Sequence, residues 1–266
     1  MRLYAGTSGY SYPAWKGFFY PAEAKTDALL RHYAARLPSV EINNTFYRMP
    51  RSSVVEGWRG QVPADFRFAM KASRRITHFA KLRDCAEPLS YLLQGLEALG
   101  PTLGVVLFQM PPQFQKDVAV LEEFVAALPS ELPVAMEFRH RSWFDDAVYG
   151  LLGARRIALV GGDGETDLPS LVPTANFGYL RLRLDEYDDA ALDRWKARLE
   201  EAGFDHAFVF FKHEERGPHY ALQMLGAAPA AAAVAAAPRR PGLKKAPAKP
   251  RSEKQSREKR GRAKRG

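Results

Sequence analysis

Polar and charged side chains stand at the carboxyl ends of six short apolar runs in this sequence. Alternation of apolar and polar residues predicts that they point to one side of their strands, except in the last run, where the alternation is ambiguous. They are Glu41, Asn43, Lys71, Gln109, Glu137, Arg139, Arg181, Arg183, Lys212 and His213. Buried charges are costly unless paired, so this set predicts either an ion-pair network or a ligand site.

The inward cations outnumber the inward carboxylates. Lys71, Arg139, Arg181 and Arg183 carry four positive charges against two negative charges on Glu41 and Glu137, a local excess of +2. This balance predicts an anionic ligand. The binding residues would then be the three arginines with Asn43, Gln109, Lys212 and His213.

Two glutamates and one lysine are the candidates for chemistry. Glu41 and Glu137 could act as acid and base or share a divalent metal, whereas the competing interpretation is that they only neutralise the cations. Lys71 would contact the substrate anion. Asp163 and His213 would complete a set of metal ligands. Since no pair shows a close spacing such as HxxxH, we assign no metal ligand and leave a divalent cofactor open.

Two segments rich in aromatic residues supply further binding candidates. The segment GTSGYSYPAWKGFFYP offers Tyr12 and Trp15 as a stacking surface for a base or sugar ring, or as packing that holds the loop on the protein. In NNTFYRMP, the phenol of Tyr47 and the guanidinium of Arg48 suit phosphate or carboxylate contacts.

The sequence pattern predicts that strands alternating with helices position these residues. Eight apolar runs suit buried strands: 3–6, 40–43, 67–71, 103–109, 134–137, 157–160, 179–183 and 207–211. In the fourth run Gly104, Val106 and Phe108 are predicted to face the helices. Segments such as DAALDRWKARLEEAG have helical spacing, and Gly203 suits a helix stop. About 28 residues per unit fits a (β/α)8 TIM-type barrel, with an open doubly wound sheet as the alternative.

Charge divides the chain into two parts. Residues 227–266 hold 13 Lys and Arg against two Glu, a net +11, whereas residues 1–226 carry −2. The tail lacks aromatic residues and is predicted to be disordered, either as a solubilising segment or as one that binds polyanions nonspecifically. The predicted domains are therefore a barrel over 1–226 and a tail over 227–266.

Composition excludes several classes of protein. The sequence has no run of about 18 apolar residues, so an integral membrane protein is excluded. The first residues lack a signal peptide pattern, and the single cysteine, Cys85, permits no intrachain disulfide, so we expect a cytoplasmic protein. No GxSxG elbow is present, and Cys85 has no evident partner, which disfavours covalent Ser or Cys catalysis.

The chain resembles the YecE-like TIM-barrel family, domain of unknown function 72. The resemblance rests on GTSGYSYPAWKGFFYP, VEINNTFYRMP, FRFAMKASRRITH, LGVVLFQMPPQF and AMEFRHRSW, in this order over nearly all of residues 1–226. It implies the barrel and supplies no activity. Commoner members read R-x-H-G and F-N-N where this chain has RLR and FKHE, so it resembles a distinct branch.

Two functions follow as hypotheses of different classes. The first is a TIM-barrel protein that binds a phosphate-bearing anion at the C-terminal mouth, with hydrolysis of nucleic acid or nucleotides as the reaction. The alternative is a noncatalytic nucleic-acid-associated protein that binds through its basic tail, with the barrel as a module that binds a ligand or a partner. A scaffold whose barrel is plugged by ion pairs is the third interpretation.

Overall fold

The strands of this protein form one parallel sheet that closes on itself almost completely. The computed structural model describes residues 1–163 and 171–227, so the predicted tail beyond Ala227 lies outside it. The strands are β1 (Arg2–Ser8), β2 (Ser39–Ile42), β3 (Arg67–Lys71), β4 (Leu103–Gln109), β5 (Val134–Glu137), β6 (Ala158–Leu159), β7 (Gly161–Gly162), β8 (Phe177–Leu182) and β9 (His206–Phe211). Their order in the sheet is β6-β5-β4-β3-β2-β1-β9-β8-β7.

The two ends of the sheet meet at one interrupted strand. β6 pairs with β5 and β7 pairs with β8, and only Val160 separates β6 from β7. The barrel therefore has eight strand positions, and β6 and β7 together occupy the sixth. β1 pairs with both β2 and β9. In an open doubly wound sheet the first and last strands of the chain would not pair with each other. The predicted (β/α)8 barrel is confirmed.

Helices cover the outside of the barrel. They are α1 (Leu29–Ala34), α2 (Ser52–Arg59), α3 (Ala86–Glu97), α4 (Val118–Ala127), α5 (Asp146–Ala154), α6 (Asp189–Glu201) and α7 (Gly217–Met224). Aspartate side chains at positions 117, 145 and 188 accept a backbone N–H at the start of α4, α5 and α6, which satisfies donors that a helix leaves free. Gly203 follows α6 with φ +73°, as predicted for a helix stop. No helix in residues 1–163 and 171–227 is long and apolar enough to cross a membrane.

Alternating residues of each strand separate two apolar cores. The outer core lies between barrel and helices. The inner core fills the barrel and contains Tyr4, Ala69, Val105, Leu107, Ala135, Ala158, Val160, Phe177, Tyr179, Phe208 and Phe210. Phe208 and Phe210 settle the alternation of the last strand that the sequence left ambiguous. The inner core forms a solid floor below the carboxyl ends of the strands.

One glycine departs from the predicted alternation. Val106 and Phe108 face the helices as expected, but Gly104 does not. The register between β3 and β4 shifts between Phe68 and Ala69, and a Cβ on Gly104 would lie 3.0 Å from the Phe208 ring in the barrel interior. The prediction for Gly104 was wrong because a bulge breaks the period of two.

A second glycine allows β1 and β2 to approach α1 closely. The Tyr33 hydroxyl on α1 donates to the Ser39 carbonyl (2.9 Å) and accepts from the Thr7 amide (2.8 Å). A Cβ on Gly6 would lie 1.9 Å from that same carbonyl oxygen. Only glycine therefore leaves room for this contact.

Candidate functional site

Glu41 is fully buried at the end of β2 and accepts four hydrogen bonds. Its Oε1 accepts from Ser8 Oγ (2.7 Å), Asn43 Nδ2 (3.0 Å) and Arg181 (2.9 Å), and its Oε2 accepts from the Tyr179 hydroxyl (2.7 Å). Burial alone would raise the pKa of Glu41, but the positive charge of Arg181 and these hydrogen bonds hold it below its usual value. Glu41 is therefore an ionised carboxylate whose charge is compensated by four donors.

Glu137, at the end of β5, has a similar environment. Its Oε1 accepts from Arg139 Nε (3.0 Å) and Arg183 (2.7 Å), and its Oε2 accepts from Gln109 Nε2 (2.7 Å) and Arg181 (2.6 Å). Burial opposes the charge, but Arg181, Arg183 and Arg139 together hold the pKa of Glu137 well below its usual value. Glu137 is likewise saturated with donors.

Arg181 joins the two carboxylates across the barrel. It lies on β8 with 4% of its side chain exposed, and it donates one nitrogen to each glutamate. Both carboxylates raise the pKa of Arg181 against the effect of burial, so its charge is permanent. The ion pairs lie directly above the inner core, since the Tyr179 ring that contacts Glu41 also lies 5.4 Å from the Phe210 ring.

Lys71 lies at the same mouth and is not part of this hydrogen-bonded network. Among the described residues its ammonium has no hydrogen-bond or ion-pair partner, and Nζ lies 4.2 Å from the centre of the Phe46 ring. Burial and the nearby charge of Arg181 lower the pKa of Lys71 to about 8, although Glu41 and Glu137 act in the opposite direction. A partly exposed amine with a lowered pKa at the end of a barrel strand is suited to anion contact or proton transfer.

The predicted set of inward residues is largely brought together. Direct contacts join Glu41, Asn43, Gln109, Glu137, Arg139, Arg181 and Arg183 in one network. Lys71 is close enough to interact with its charges. Of the arginines, Arg139 is the most accessible, with 26% of its side chain exposed, against 12% for Arg183. The net +2 of the predicted set is thus concentrated at the mouth.

The four candidate metal ligands do not form one donor set. Within residues 1–163 and 171–227, no three His, Cys, Asp or Glu side chains are placed to hold a metal ion. Asp163 accepts from the Arg183 amide and the Tyr187 hydroxyl, both at 2.7 Å. His213 Nδ1 accepts from the Arg216 amide at 2.9 Å.

Trp15 corrects one binding prediction. Its side chain is fully buried, and its indole N–H donates to the Glu214 carbonyl at 2.6 Å. It packs with Tyr12, Phe19 and Tyr20, so it holds the first loop on the barrel and has no face for a ligand. Tyr12 is partly exposed, and its hydroxyl donates to the Ser8 carbonyl at 2.7 Å, which places it beside the Glu41 contacts.

Three other predicted residues lie apart from the network. Lys212 is exposed at the end of β9, and His213 contributes to the turn before α7, where its Nε2 lies 3.0 Å from the Asp185 carbonyl. The structure does not join either residue to the two glutamates by a hydrogen bond. Tyr47 is 68% exposed on the loop after β2.

Two polar contacts of Glu41 were missing from the sequence prediction. Ser8 and Tyr179 both donate to it. Tyr179 precedes Arg181 by two residues on β8, so the alternation that predicted Arg181 and Arg183 also contained the signal for Tyr179. Ser8 is the last residue of β1 and lies four residues after Tyr4, which points into the barrel. The same alternation therefore predicts that Ser8 also points inward.

One further prediction concerned cysteine chemistry. Cys85 is buried just before α3, and burial raises the pKa of its thiol to about 11. A thiol with this pKa is protonated at neutral pH and is a poor nucleophile. The environment of Cys85 therefore agrees with the expectation that covalent cysteine catalysis is disfavoured.

Comparison with known proteins assigns the family. The sequence profile of the family described as "Protein of unknown function DUF72" matches residues 4–244. The chain belongs to the DUF72 family. The resemblance to this family predicted from the sequence is confirmed, whereas the branch defined by RLR and FKHE stays a prediction.

Curated relatives of this chain carry the name UPF0759. The chain is 32% identical to the UPF0759 protein YecE of Escherichia coli (strain K12) over 143 residues, which is 53% of this chain and 50% of that protein. It is 29% identical to the UPF0759 protein YunF of Bacillus subtilis (strain 168) over 139 residues, 49% of each chain. The matches thus span about half the length of these relatives.

Solved DUF72 structures share the fold. A DUF72 family protein from Thermotoga maritima superposes with a TM-score of 0.70 and 27% identity, covering 85% of this chain and 98% of the other. A DUF72 family protein from Enterococcus faecalis gives a TM-score of 0.70 with 20% identity, covering 85% and 96%. The barrel is therefore the fold of the family.

Proposed function

We propose that the C-terminal mouth of the barrel binds a phosphate-bearing anion. The observation that carries this proposal is the contrast between two carboxylates that each accept four hydrogen bonds and one lysine whose ammonium has no hydrogen-bond or ion-pair partner among the described residues. Glu41 and Glu137 are fully engaged by their neighbours, so a further negative group would find Lys71 available. Anions bind where a cation and oriented donors are already desolvated.

Each residue of the network then has a role in binding. Arg181 holds both glutamates, and Glu137 in turn orients Arg139 and Arg183 towards the mouth through its Oε1. Lys71 and Arg139 would contact the anion directly, since both side chains are partly exposed. In this proposal the glutamates are positioning residues, which replaces the acid and base roles considered from the sequence.

A hydrolytic step would therefore fall to Lys71. A general base must readily take up a proton, whereas each glutamate already accepts four hydrogen bonds and has a pKa held below its usual value. The Lys71 ammonium is charged at neutral pH, since its pKa is about 8. As water adds to phosphorus and the ester P–O bond breaks, Lys71 Nζ would donate a proton to the departing oxygen, and the attacking water would lose its proton to solvent. Hydrolysis of a phosphate ester remains the reaction proposed for this site.

The test compares two variants that remove one positive charge each. Lys71→Met removes the amine at the mouth, and Arg31→Met removes an exposed charge on α1. We expect Lys71→Met to weaken binding of inorganic phosphate about 10- to 100-fold by calorimetry, the effect of one charge-assisted hydrogen bond. Arg31→Met should bind as the unmodified protein does.

Thermal unfolding separates loss of binding from loss of fold. The ammonium of Lys71 is disfavoured by burial, so Lys71→Met is expected to keep or raise the Tm. Unchanged phosphate affinity in a folded Lys71→Met variant would contradict the proposal.

A further inference from the structure

Two exposed aromatic rings lie on the loops around the mouth. Tyr47 and Phe79 are each 68% exposed, more than any other large apolar side chain among the described residues. Both rings lie against one guanidinium, since Arg74 Cζ is 5.5 Å from the centre of Tyr47 and 5.2 Å from the centre of Phe79. We call Tyr47, Arg74 and Phe79 the aromatic platform.

The aromatic platform is continuous with the charged mouth. The Phe46 ring contacts Lys71 Nζ at 4.2 Å and meets the Tyr47 ring edge-on at 5.0 Å. The same ring lies 4.8 Å from His78, the neighbour of Phe79 in sequence. Phe46 therefore contacts the Lys71 amine and links it to both sides of the platform.

The local backbone keeps Phe79 on the surface. Phe79 ends a π-helical turn, Arg75–Phe79, which follows β3 and buries Ile76 and Thr77. Such turns are rare in proteins as a whole, and those that occur are often found at functional sites. Tyr47 directly follows a short 3-10 turn over Asn44–Phe46 that buries Thr45, whose hydroxyl donates to the Lys71 carbonyl at 2.6 Å. Both turns anchor one residue inside and leave an aromatic side chain outside.

Exposed rings of this kind need a physical explanation. Burying a side chain such as Phe stabilises a fold, and Phe79 largely forgoes this stabilisation. Single exposed apolar residues are ordinary, but two rings held by one arginine next to a cationic mouth form a defined surface. Arg74 contacts both rings and so places them on one surface beside the mouth.

We propose that the mouth and the aromatic platform together bind single-stranded nucleic acid, with bases stacked on Tyr47 and Phe79 and a phosphate at Lys71. This inference rests on the proposed function and names its ligand class. Bases of a single strand have free faces for aromatic stacking, whereas those of a duplex are already stacked on each other. The alternation of cations with aromatic rings matches a chain that alternates phosphates with bases.

The experiment measures binding of a fluorescein-labelled single strand to the full chain by fluorescence anisotropy. An oligonucleotide of about 12 nucleotides spans a typical single-strand site. The variants are Tyr47→Ala, Phe79→Ala and Lys71→Met. Tyr91→Ala serves as the matched control, because Tyr91 is 56% exposed on α3 and has no part in the platform. The tail is present in all of them and contributes equally.

Stacking and charge predict different salt behaviour. Tyr47→Ala and Phe79→Ala should each weaken binding about 5- to 100-fold while the slope of log affinity against log salt stays the same. Lys71→Met should reduce that slope by about 0.7, the value for one phosphate contact on a single strand. Tyr91→Ala should change neither quantity, and the Tm of the aromatic variants should match that of the control.

The outcomes distinguish this inference from the proposed function. If inorganic phosphate binds but Tyr47→Ala and Phe79→Ala bind the oligonucleotide as Tyr91→Ala does, the platform is not a stacking surface and the proposed function stands. Loss of duplex affinity in Tyr47→Ala and Phe79→Ala as large as the loss of single-strand affinity would also overturn the inference, because duplex bases are not free to stack on the platform. If Lys71→Met alters neither phosphate nor oligonucleotide binding, both proposals fail.

Discussion

At the scale of single residues, the mouth shows how one arginine makes two buried carboxylates stable. Arg181 places one nitrogen on Glu41 and another on Glu137, and six other side chains complete the network. Removing a partner from a buried ion pair leaves an uncompensated charge, which costs more than the pair itself contributes. The network should therefore tolerate substitution poorly.

Replacement of Glu137 tests this argument. Glu137→Gln leaves Arg139, Arg181 and Arg183 with one acceptor charge fewer and turns an amide donor towards other donors. We expect the free energy of unfolding to fall by about 3–5 kcal/mol, or the Tm by roughly 10 °C. Thermal unfolding beside Glu122→Gln, an exposed glutamate on α4, measures the effect. An equal Tm for both variants would contradict a structural role for Glu137.

The pH dependence of anion binding tests Lys71. Its ammonium is charged below its pKa of about 8 and neutral above it, so affinity should be full at pH 7 and decrease as the pH rises. Sulfate is a suitable probe because its own charge does not change in this range. We expect a decrease of about tenfold from pH 7 to pH 9. Lys71→Arg should abolish this dependence, and the same decrease in that variant would assign the titration to another group.

At the scale of elements, the ends of β2, β5 and β8 bring distant residues to one place. The alternation of apolar and polar residues predicted this convergence, because a parallel barrel aligns all strand ends at one face. β3, β4 and β5 begin and end at the predicted residues, and β9 differs by one. Alternation could not predict Gly104, since a bulge follows from pairing between strands and not from one strand alone.

The loops explain most of what the sequence did not predict about the site. Trp15 and Tyr47 are both aromatic residues in loops, and nothing in their spacing distinguishes the buried one from the exposed one. Their environment depends on contacts with distant segments, such as the Glu214 carbonyl that accepts from Trp15. Phe79 and Arg74 went unnoticed for the same reason, because a π-helical turn has no sequence pattern comparable to a strand.

The junction of β1, β2 and α1 provides a prediction about an element. Gly6→Ala would place a methyl group against the Ser39 carbonyl at 1.9 Å and the Tyr33 hydroxyl at 2.9 Å. We expect a loss of at least about 3 kcal/mol of stability from this overpacking. Gly57→Ala on α2 is the matched control, because no atom lies within 4 Å of its added Cβ. Gly57→Ala should gain about 1 kcal/mol of stability from helix propensity. Denaturant unfolding should therefore give changes in the free energy of unfolding of opposite sign for the two variants.

At the scale of the whole molecule, net charge is separated along the chain. The last 22 residues, 245–266, hold ten Lys and Arg against two Glu and lie beyond the residues that match the DUF72 family. Their charge predicts nonspecific attraction of polyanions, in addition to the site proposed at the mouth.

Deletion of residues 245–266 tests that prediction. The shortened chain should bind a single-stranded oligonucleotide more weakly at low salt and with a smaller salt slope, since each phosphate contact contributes about 0.7 to the slope. Anisotropy at several salt concentrations measures both quantities. Scrambling the order of residues 245–266 is the control and should preserve the slope. An unchanged slope after deletion would show that the tail contributes no phosphate contacts.

The pairing of β1 with β9 also sets the timing of folding during synthesis. β1 pairs with β9 along six residues, from Arg2 with His206 to Thr7 with Phe211. A ribosome that adds about 5–20 residues per second needs roughly 10–40 s to pass from one strand to the other. During this interval one edge of β1 has no strand to pair with, so the nascent chain is exposed to edge-to-edge association until its last strand emerges.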